Sequence, residues 1–150
     1  MLNRLPDVFA SFHSHDVKYV VIGGIAAVLY GVPPATFDLD ILIDASRENA
    51  ESLLSSLEDV GFGTASLITA DELIANEITV FNDRVRIDVL TRTPGLAFGD
   101  AWKRKTTMTF RGTEFYVASL EDVIASKRAA GREIDVDDAR LLDPGSDRAP

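Results

Sequence analysis

The chain has 150 residues, of which 46% are hydrophobic, and it carries a formal net charge of −9 at pH 7. This length and hydrophobic content are typical of one domain with its own core, while the negative charge argues against a broad nucleic-acid surface. Because the sequence has no cysteine, disulfides, zinc–thiolate sites and a cysteine nucleophile are excluded, and a cytoplasmic location is favoured.

The N-terminal segment predicts a short amphipathic helix over residues 2–14. His13 and His15 follow it, but a pair of histidines without a third ligand does not indicate a metal site, and we assign them no function. Residues 19–37 carry no charge and approach the length of a membrane span, yet glycines and prolines interrupt them. We therefore interpret this stretch as core and expect no membrane association.

A strand over residues 16–22 is expected to run into the pair Gly23-Gly24 and then into a helix over residues 25–30. The pair Pro33-Pro34 ends that helix, and from Thr36 onward the hydrophobic pattern has a period of two, as in a strand.

Two carboxylates share one face of this second strand. Asp38 and Asp40 are two residues apart, so their side chains point the same way, about 6–7 Å apart at the backbone, and can converge on one cation. Asp44 lies on the same face, but either Asp44 or Ser46 is expected to cap the next helix, and because of this structural alternative we do not count Asp44 as a ligand.

A helix is predicted over residues 46–60, and the spacing of Thr69 and Glu72 predicts a capping box for a shorter helix that follows. Residues 78–81 and 84–90 then predict a hairpin. In its second strand, Asp88 lies opposite the apolar face, and it would complete a cluster of three carboxylates if this strand pairs with the strand of Asp38 and Asp40. The alternative is a simple ion pair between Asp88 and Arg86.

The basic run Lys103–Lys105 follows Trp102 and has two interpretations, a phosphate or RNA contact and the solvated end of a helix whose tryptophan is in the core; we prefer the second. A second hairpin is predicted over residues 106–117. Ser119 and Asp122 then have the spacing of a capping box for a helix that ends at Gly131.

A last short helix is predicted over residues 135–142. Asp135 is assigned first as its cap, and the alternative is that Asp135 and Asp138 position the side chains of Lys127 and Arg132. Residues 144–150 are expected to form a disordered tail. The chain is therefore expected to be a single domain over residues 1–143.

Taken together, Gly23-Gly24, the pattern Thr36-x-Asp38-x-Asp40 on a strand and an aspartate on a later strand resemble the nucleotidyltransferase superfamily, which has the polymerase-beta-like fold. Within it, the sequence is most similar to the bacterial minimal nucleotidyltransferases and the AbiEii-type toxin nucleotidyltransferases. The likeness extends over residues 17–142, including Lys127 and the C-terminal segment GREIDVDDARLL.

The resemblance implies an α/β (α+β) fold in which helices flank a small mixed sheet. It also implies a cytoplasmic enzyme with nucleoside triphosphates as substrates and Mg²⁺, in two ions, as cofactor. The implied metal ligands and catalytic groups are Asp38, Asp40 and Asp88, with Asp88 as the candidate base. The implied nucleotide-binding residues are Gly23, Gly24, Thr36, Lys127 and Arg132.

The acceptor is expected to be RNA or a protein, with a cognate toxin or antitoxin as a further partner; a small antibiotic molecule is the alternative acceptor. The sequence departs from the resemblance at Pro34, where related toxins carry arginine, and at Gly24, where many members carry serine. Loss of the arginine either weakens nucleotide or acceptor binding or transfers its function to Arg86, Lys127 or Arg132. These departures motivate the second hypothesis, a nucleotidyltransferase-fold binding module that has lost catalysis.

Overall fold

The computed structural model describes residues 5–34, 38–83, 85–143 and 145. Thr36 and most of the predicted tail, residues 144 and 146–150, lie outside these ranges. The described residues form seven α-helices, namely α1 (Leu5–Ser14), α2 (Gly23–Leu29), α3 (Arg47–Asp59), α4 (Ala70–Ala75), α5 (Phe98–Arg104), α6 (Leu120–Ala130) and α7 (Glu133–Leu142). They also form six strands, namely β1 (Tyr19–Ile22), β2 (Leu39–Ile43), β3 (Ile78–Asn82), β4 (Arg86–Leu90), β5 (Thr106–Phe110) and β6 (Thr113–Val117).

The strands form one mixed sheet in the order β3-β4-β2-β1-β6-β5. The pairs β2–β4 and β1–β6 are parallel, and the remaining pairs are antiparallel. Both predicted hairpins are present as β3–β4 and β5–β6. The fold class is therefore the predicted one, a mixed sheet flanked by helices.

Helices cover the sheet in two groups. Helix α1 packs against α3 and β6, where the Phe9 ring stacks on Tyr19 and Phe115 with centroids 6.0 and 4.5 Å apart. Helix α2 packs against β1 and β2 and contacts α6, which in turn packs on α7. Helices α2, α6 and α7 are thus neighbours beside the central strands. No helix among the described residues is long and apolar enough to cross a membrane.

Local sequence signals set several of the helix ends. The predicted capping box of Thr69 and Glu72 is complete at α4, and Ser46 caps α3 while its hydroxyl also donates a hydrogen bond to Asp44. These side chains satisfy backbone N–H groups that have no partner inside the helix. Of the two caps that the sequence offers, Ser46 is the one observed, and Asp44 accepts a hydrogen bond from it instead of capping the helix.

Two predictions at helix starts are wrong. Ser119 caps α6, but Asp122 does not complete the box because its carboxylate accepts hydrogen bonds from Arg104, at 3.1 and 2.9 Å. Helix α7 begins at Glu133, before the predicted Asp135, and no side chain caps it. Asp135 is instead buried inside the first turn, at 1% exposure, where it binds two cations.

The basic run Lys103–Lys105 lies at the end of α5, in agreement with the preferred interpretation. Trp102 packs between Phe98 and Tyr116, and the Lys105 ammonium lies 3.8 Å from the centre of the Trp102 ring.

Candidate functional site

The parallel pairing of β2 with β4 brings two of the predicted carboxylates together. In this register Asp40 is the direct partner of Asp88, and partners in adjacent strands point to the same face of the sheet. The pairing of the Asp88 strand with the strand of Asp38 and Asp40, on which the predicted cluster depended, is therefore present. Asp38 directly precedes β2, and its side chain lines the same cavity as the other two.

Arg86 joins these carboxylates from within β4. Its Nε lies 2.9 Å from Asp88 Oδ1 and its Nη2 lies 3.4 Å from Asp88 Oδ2, while Nε is also 3.7 Å from Asp38 Oδ2. The residues Arg86 and Asp88 are two apart on a strand, which explains why their side chains meet. The ion pair between Arg86 and Asp88, which the sequence offered as an alternative to the carboxylate cluster, is thus present together with that cluster.

Asp40 is the carboxylate whose protonation the fold perturbs most at this site. Burial, and after it repulsion from Asp88 and from Asp38, together raise the pKa of Asp40 to about 7, although the charge of Lys127 acts in the opposite direction. The carboxyl groups of Asp40 and Asp88 are close enough to share a hydrogen bond. Ionisation of Asp40 is therefore unfavourable at this site, because the carboxyl is buried and two other carboxylates are close to it.

Gly23 is required where β1 turns into α2. Its φ of +71° is in the left-handed region, which side chains other than glycine rarely adopt. A Cβ at residue 23 would also overlap the Asp40 carboxylate at Oδ2. The missing side chain therefore lets the backbone at the start of α2 approach Asp40 directly.

A second charged cluster, on α6 and α7, faces the carboxylates. Lys127 is 7% exposed, and its Nζ lies 3.3 Å from Asp135 Oδ1 and 3.1 Å from Asp138 Oδ2. Arg132 contacts Asp135 through Nε and Nη2, at 2.6 and 3.2 Å. Burial opposes ionisation of Asp135, but these hydrogen bonds and charges outweigh it and lower its pKa below the ordinary value. The cluster holds two cations beside the carboxylates at fixed positions.

These groups surround two adjoining cavities of about 300 and 330 Å³. Both cavities are lined by Gly24, Asp40, Asp88, Lys127, Arg132 and Asp135. The first adds Asp38 and Arg86, and the second adds Gly23. All predicted site residues in the described part of the chain therefore line these two cavities. Thr36 is not among the described residues.

Arg86 and Asp138 are two further charged residues of the site that the sequence offered only as alternatives. Arg86 had a usable signal, because its spacing from Asp88 puts both on one strand face. Asp138 has helical spacing from Asp135, but its partner Lys127 is on another helix, and the sequence alone does not show that packing.

The three aspartates suit a divalent cation in their chemistry, but their side chains are not arranged around a cation position in this structure. Asp38, Asp40 and Asp88 offer the oxygen ligands that Mg²⁺ prefers, and the raised pKa of Asp40 indicates that a cation would relieve a repulsion already present. Within the described ranges, no three His, Cys, Asp or Glu side chains are arranged so that they could hold a metal ion. Arg86 contacts two of the three carboxylates in this arrangement.

Comparison with known protein families gives one match that covers almost the whole chain. The family described as "Nucleotidyltransferase of unknown function (DUF6036)" matches residues 4–141. No curated protein matches the chain.

Proposed function

This chain belongs to that family of nucleotidyltransferases of unknown function, and from this premise we propose that it transfers a nucleoside monophosphate from a nucleoside triphosphate to an acceptor hydroxyl, with magnesium as cofactor. One observation carries the proposal. Asp40 and Asp88 lie side by side on paired strands, and Asp38 lines the same cavity, opposite Lys127 and Arg132. Carboxylates that face fixed cations in a cavity suit a substrate that binds with its metal and carries a triphosphate.

Asp38, Asp40 and Asp88 are the proposed magnesium ligands. When bound, two magnesium ions would neutralise triphosphate charge and favour both the attack of the acceptor oxygen and the departure of pyrophosphate. The ligands suit this cofactor because aspartates are hard oxygen donors and because two of them are fixed by the ladder between β2 and β4.

The remaining chemistry belongs to residues of this chain. The acceptor oxygen forms a bond to the α-phosphorus, and the bond from that phosphorus to the bridging oxygen of the β-phosphate breaks. Pyrophosphate leaves, and the hydroxyl proton passes to Asp88, the proposed base. Asp88 is suited to this step because it lines both cavities, and thus has access to two substrates.

The proposed triphosphate site uses backbone and side-chain donors. Gly23 and Gly24 line the cavities and carry no side chain, so their backbone is a proposed phosphate contact, and Thr36 is a further one. Lys127 and Arg132 supply positive charge at the cavity wall. These residues take the place of the arginine that related toxins carry at the position of Pro34.

The acceptor remains a proposal of two kinds, RNA or a protein, in keeping with the resemblance to minimal and AbiEii-type nucleotidyltransferases and with a place in a toxin–antitoxin system. A small molecule such as an antibiotic is the alternative acceptor. The second candidate function is an inactive binding module, and the specific observation in its favour is Pro34 in the place of a cation.

Label transfer tests the proposal directly. Each of the four α-³²P-labelled nucleoside triphosphates is incubated with magnesium, the protein and either total RNA or total protein. We expect label in one fraction with the wild type and with Asp137→Asn, an exposed carboxylate on α7, and no label with Asp40→Asn. Equal transfer by Asp40→Asn would refute the assignment of the site.

A parallel assay covers the small-molecule acceptor. Pyrophosphate release is measured with a protein-free cell extract in place of the macromolecules. Release that requires Asp40 would identify a small acceptor. Folded wild-type protein that neither transfers label nor releases pyrophosphate would favour the binding module.

A further inference from the structure

We infer that Arg86 holds the metal-binding carboxylates in the absence of metal and releases them to the metal–nucleotide complex, so that it couples nucleotide binding to metal binding. The inference rests on the proposed function, and it concerns a residue that the sequence offered only as an ion-pair partner of Asp88 or as a replacement for the cation missing at Pro34. Its basis is the set of contacts that Arg86 makes inside the cavity.

The geometry makes Arg86 an internal substitute for a cation. The guanidinium donates to both oxygens of Asp88 and lies 3.7 Å from Asp38, so it contacts two of the three proposed ligands at once. Arg86 belongs to the same strand as Asp88, so its guanidinium is tethered at the site whether or not a metal is present. A free metal ion would have to compete with this tethered charge.

Metal and guanidinium cannot both keep these contacts. A magnesium–oxygen bond is about 2.0–2.1 Å long, and a guanidinium within hydrogen-bond distance of the same oxygens would lie a few ångströms from a doubly charged ion. At such separations the positive charges of the metal and the guanidinium repel each other. Binding of the metal therefore requires Arg86 to move.

The triphosphate is the natural new partner of the displaced guanidinium. Arg86 is 44% exposed, so its side chain has room to turn, and it lines the same cavity as Lys127 and Arg132. Those two cations already contact Asp135. Arg86 differs from them because its carboxylate partners are the groups that the metal would take, and its planar fork of donors matches phosphate oxygens as well as carboxylate oxygens.

Two measurable consequences follow. Metal alone should bind weakly, because nothing compensates the displaced arginine. Metal with an attached polyphosphate should bind more tightly, because the phosphates accept the guanidinium. By linkage, the anion improves metal affinity by the same factor by which the metal improves anion affinity.

The test compares Arg86→Gln with Arg47→Gln, which removes the same charge from an exposed position on α3 where Arg47 pairs with Glu51. Calorimetry measures the binding of Mn²⁺ alone and of the magnesium complex of inorganic tripolyphosphate, which needs no knowledge of the preferred base. We expect R86Q to bind Mn²⁺ about tenfold more tightly than R47Q and the polyphosphate complex about tenfold more weakly. R86K, which keeps the charge but loses the planar fork, should lie between R86Q and the wild type.

The outcomes separate this inference from the proposed function. If R86Q and R47Q bind Mn²⁺ equally while Asp88→Asn does not bind it, the metal site exists and the coupling by Arg86 is refuted. If wild type, R86Q and R47Q all fail to bind Mn²⁺, the proposed function falls and this inference falls with it. Circular dichroism of each variant establishes that the compared proteins are folded.

Discussion

The substitution Asp40→Asn should make the protein more stable at pH 8 while it abolishes transfer. Burial and the neighbouring carboxylates raise the pKa of Asp40 from 3.8 to about 7. Each pKa unit corresponds to about 1.36 kcal/mol, so keeping Asp40 ionised at pH 8 costs the metal-free fold at most about 4 kcal/mol. Asparagine has nearly the same shape and carries no charge, so it removes this cost.

The pH course of the effect follows from the direction of the shift. Because the folded pKa is raised, the folded state holds the proton more tightly than the unfolded state, and the contribution of Asp40 to stability is complete below pH 3.8. It is lost as the pH rises through about 7. The advantage of Asp40→Asn over wild type should therefore be greatest near pH 8 and small near pH 4.

Urea unfolding checks this prediction, with the fluorescence of Trp102, the only tryptophan, as the probe. Free energies of unfolding are compared at pH 8, 7, 6 and 5 in a chelator, with Asp137→Asn as the control that leaves the site intact. Added magnesium should stabilise the wild type by about 2.7 kcal/mol at 100 times its dissociation constant, and Asp40→Asn far less. The reasoning would be refuted if Asp40→Asn were no more stable than wild type at pH 8, or if its advantage in free energy of unfolding were the same at pH 5 as at pH 8.

Two further predictions concern the supports of the site. Gly23→Ala should lose about 2 kcal/mol of stability and most transfer activity, because it strains the backbone and displaces Asp40. The control Gly112→Ala, with φ +79° and open space around the residue, should lose only about 1 kcal/mol and keep its activity. Equal losses in the two variants would contradict the overlap between residue 23 and Asp40. Asp135→Asn should cost about 3 kcal/mol at pH 7 in urea unfolding because it leaves the buried Lys127 short of negative charge. Since the pKa of Asp135 is lowered, this difference should shrink as the pH falls through that pKa, and a difference that grows in acid would contradict it.

The sequence was informative wherever a signal is local. The period of two places Asp38 and Asp40 on one strand face, and the spacing of Thr69 and Glu72 identifies a helix start, because in both cases the interacting groups are neighbours along the chain. The resemblance added Asp88 to the cluster, and the register of β2 and β4 confirmed that it lies beside Asp40.

The predictions that proved wrong depended on contacts between distant segments. Asp135 looks like a helix cap because it is an aspartate near a helix start, but packing of α6 on α7 places Lys127 against it and makes it a buried ion-pair partner. Asp122 was assigned to a capping box for the same reason, yet Arg104, eighteen residues earlier, binds its carboxylate. Tertiary pairing of charges outweighed the local preference at both positions.

The position of the carboxylates in the sheet also has a dynamic consequence. Asp40 belongs to β2, which has β1 on one side and β4 on the other, and Asp88 belongs to β4, which is likewise bordered on both sides. Asp38 directly precedes β2 and lies outside the ladder. Amide hydrogen exchange should therefore be slow at the first two residues and faster at the third. If the three carboxylates bind two ions as proposed, Asp40 and Asp88 would stay fixed in the sheet, while Asp38, which lies outside the strand, could adjust without any movement of the sheet.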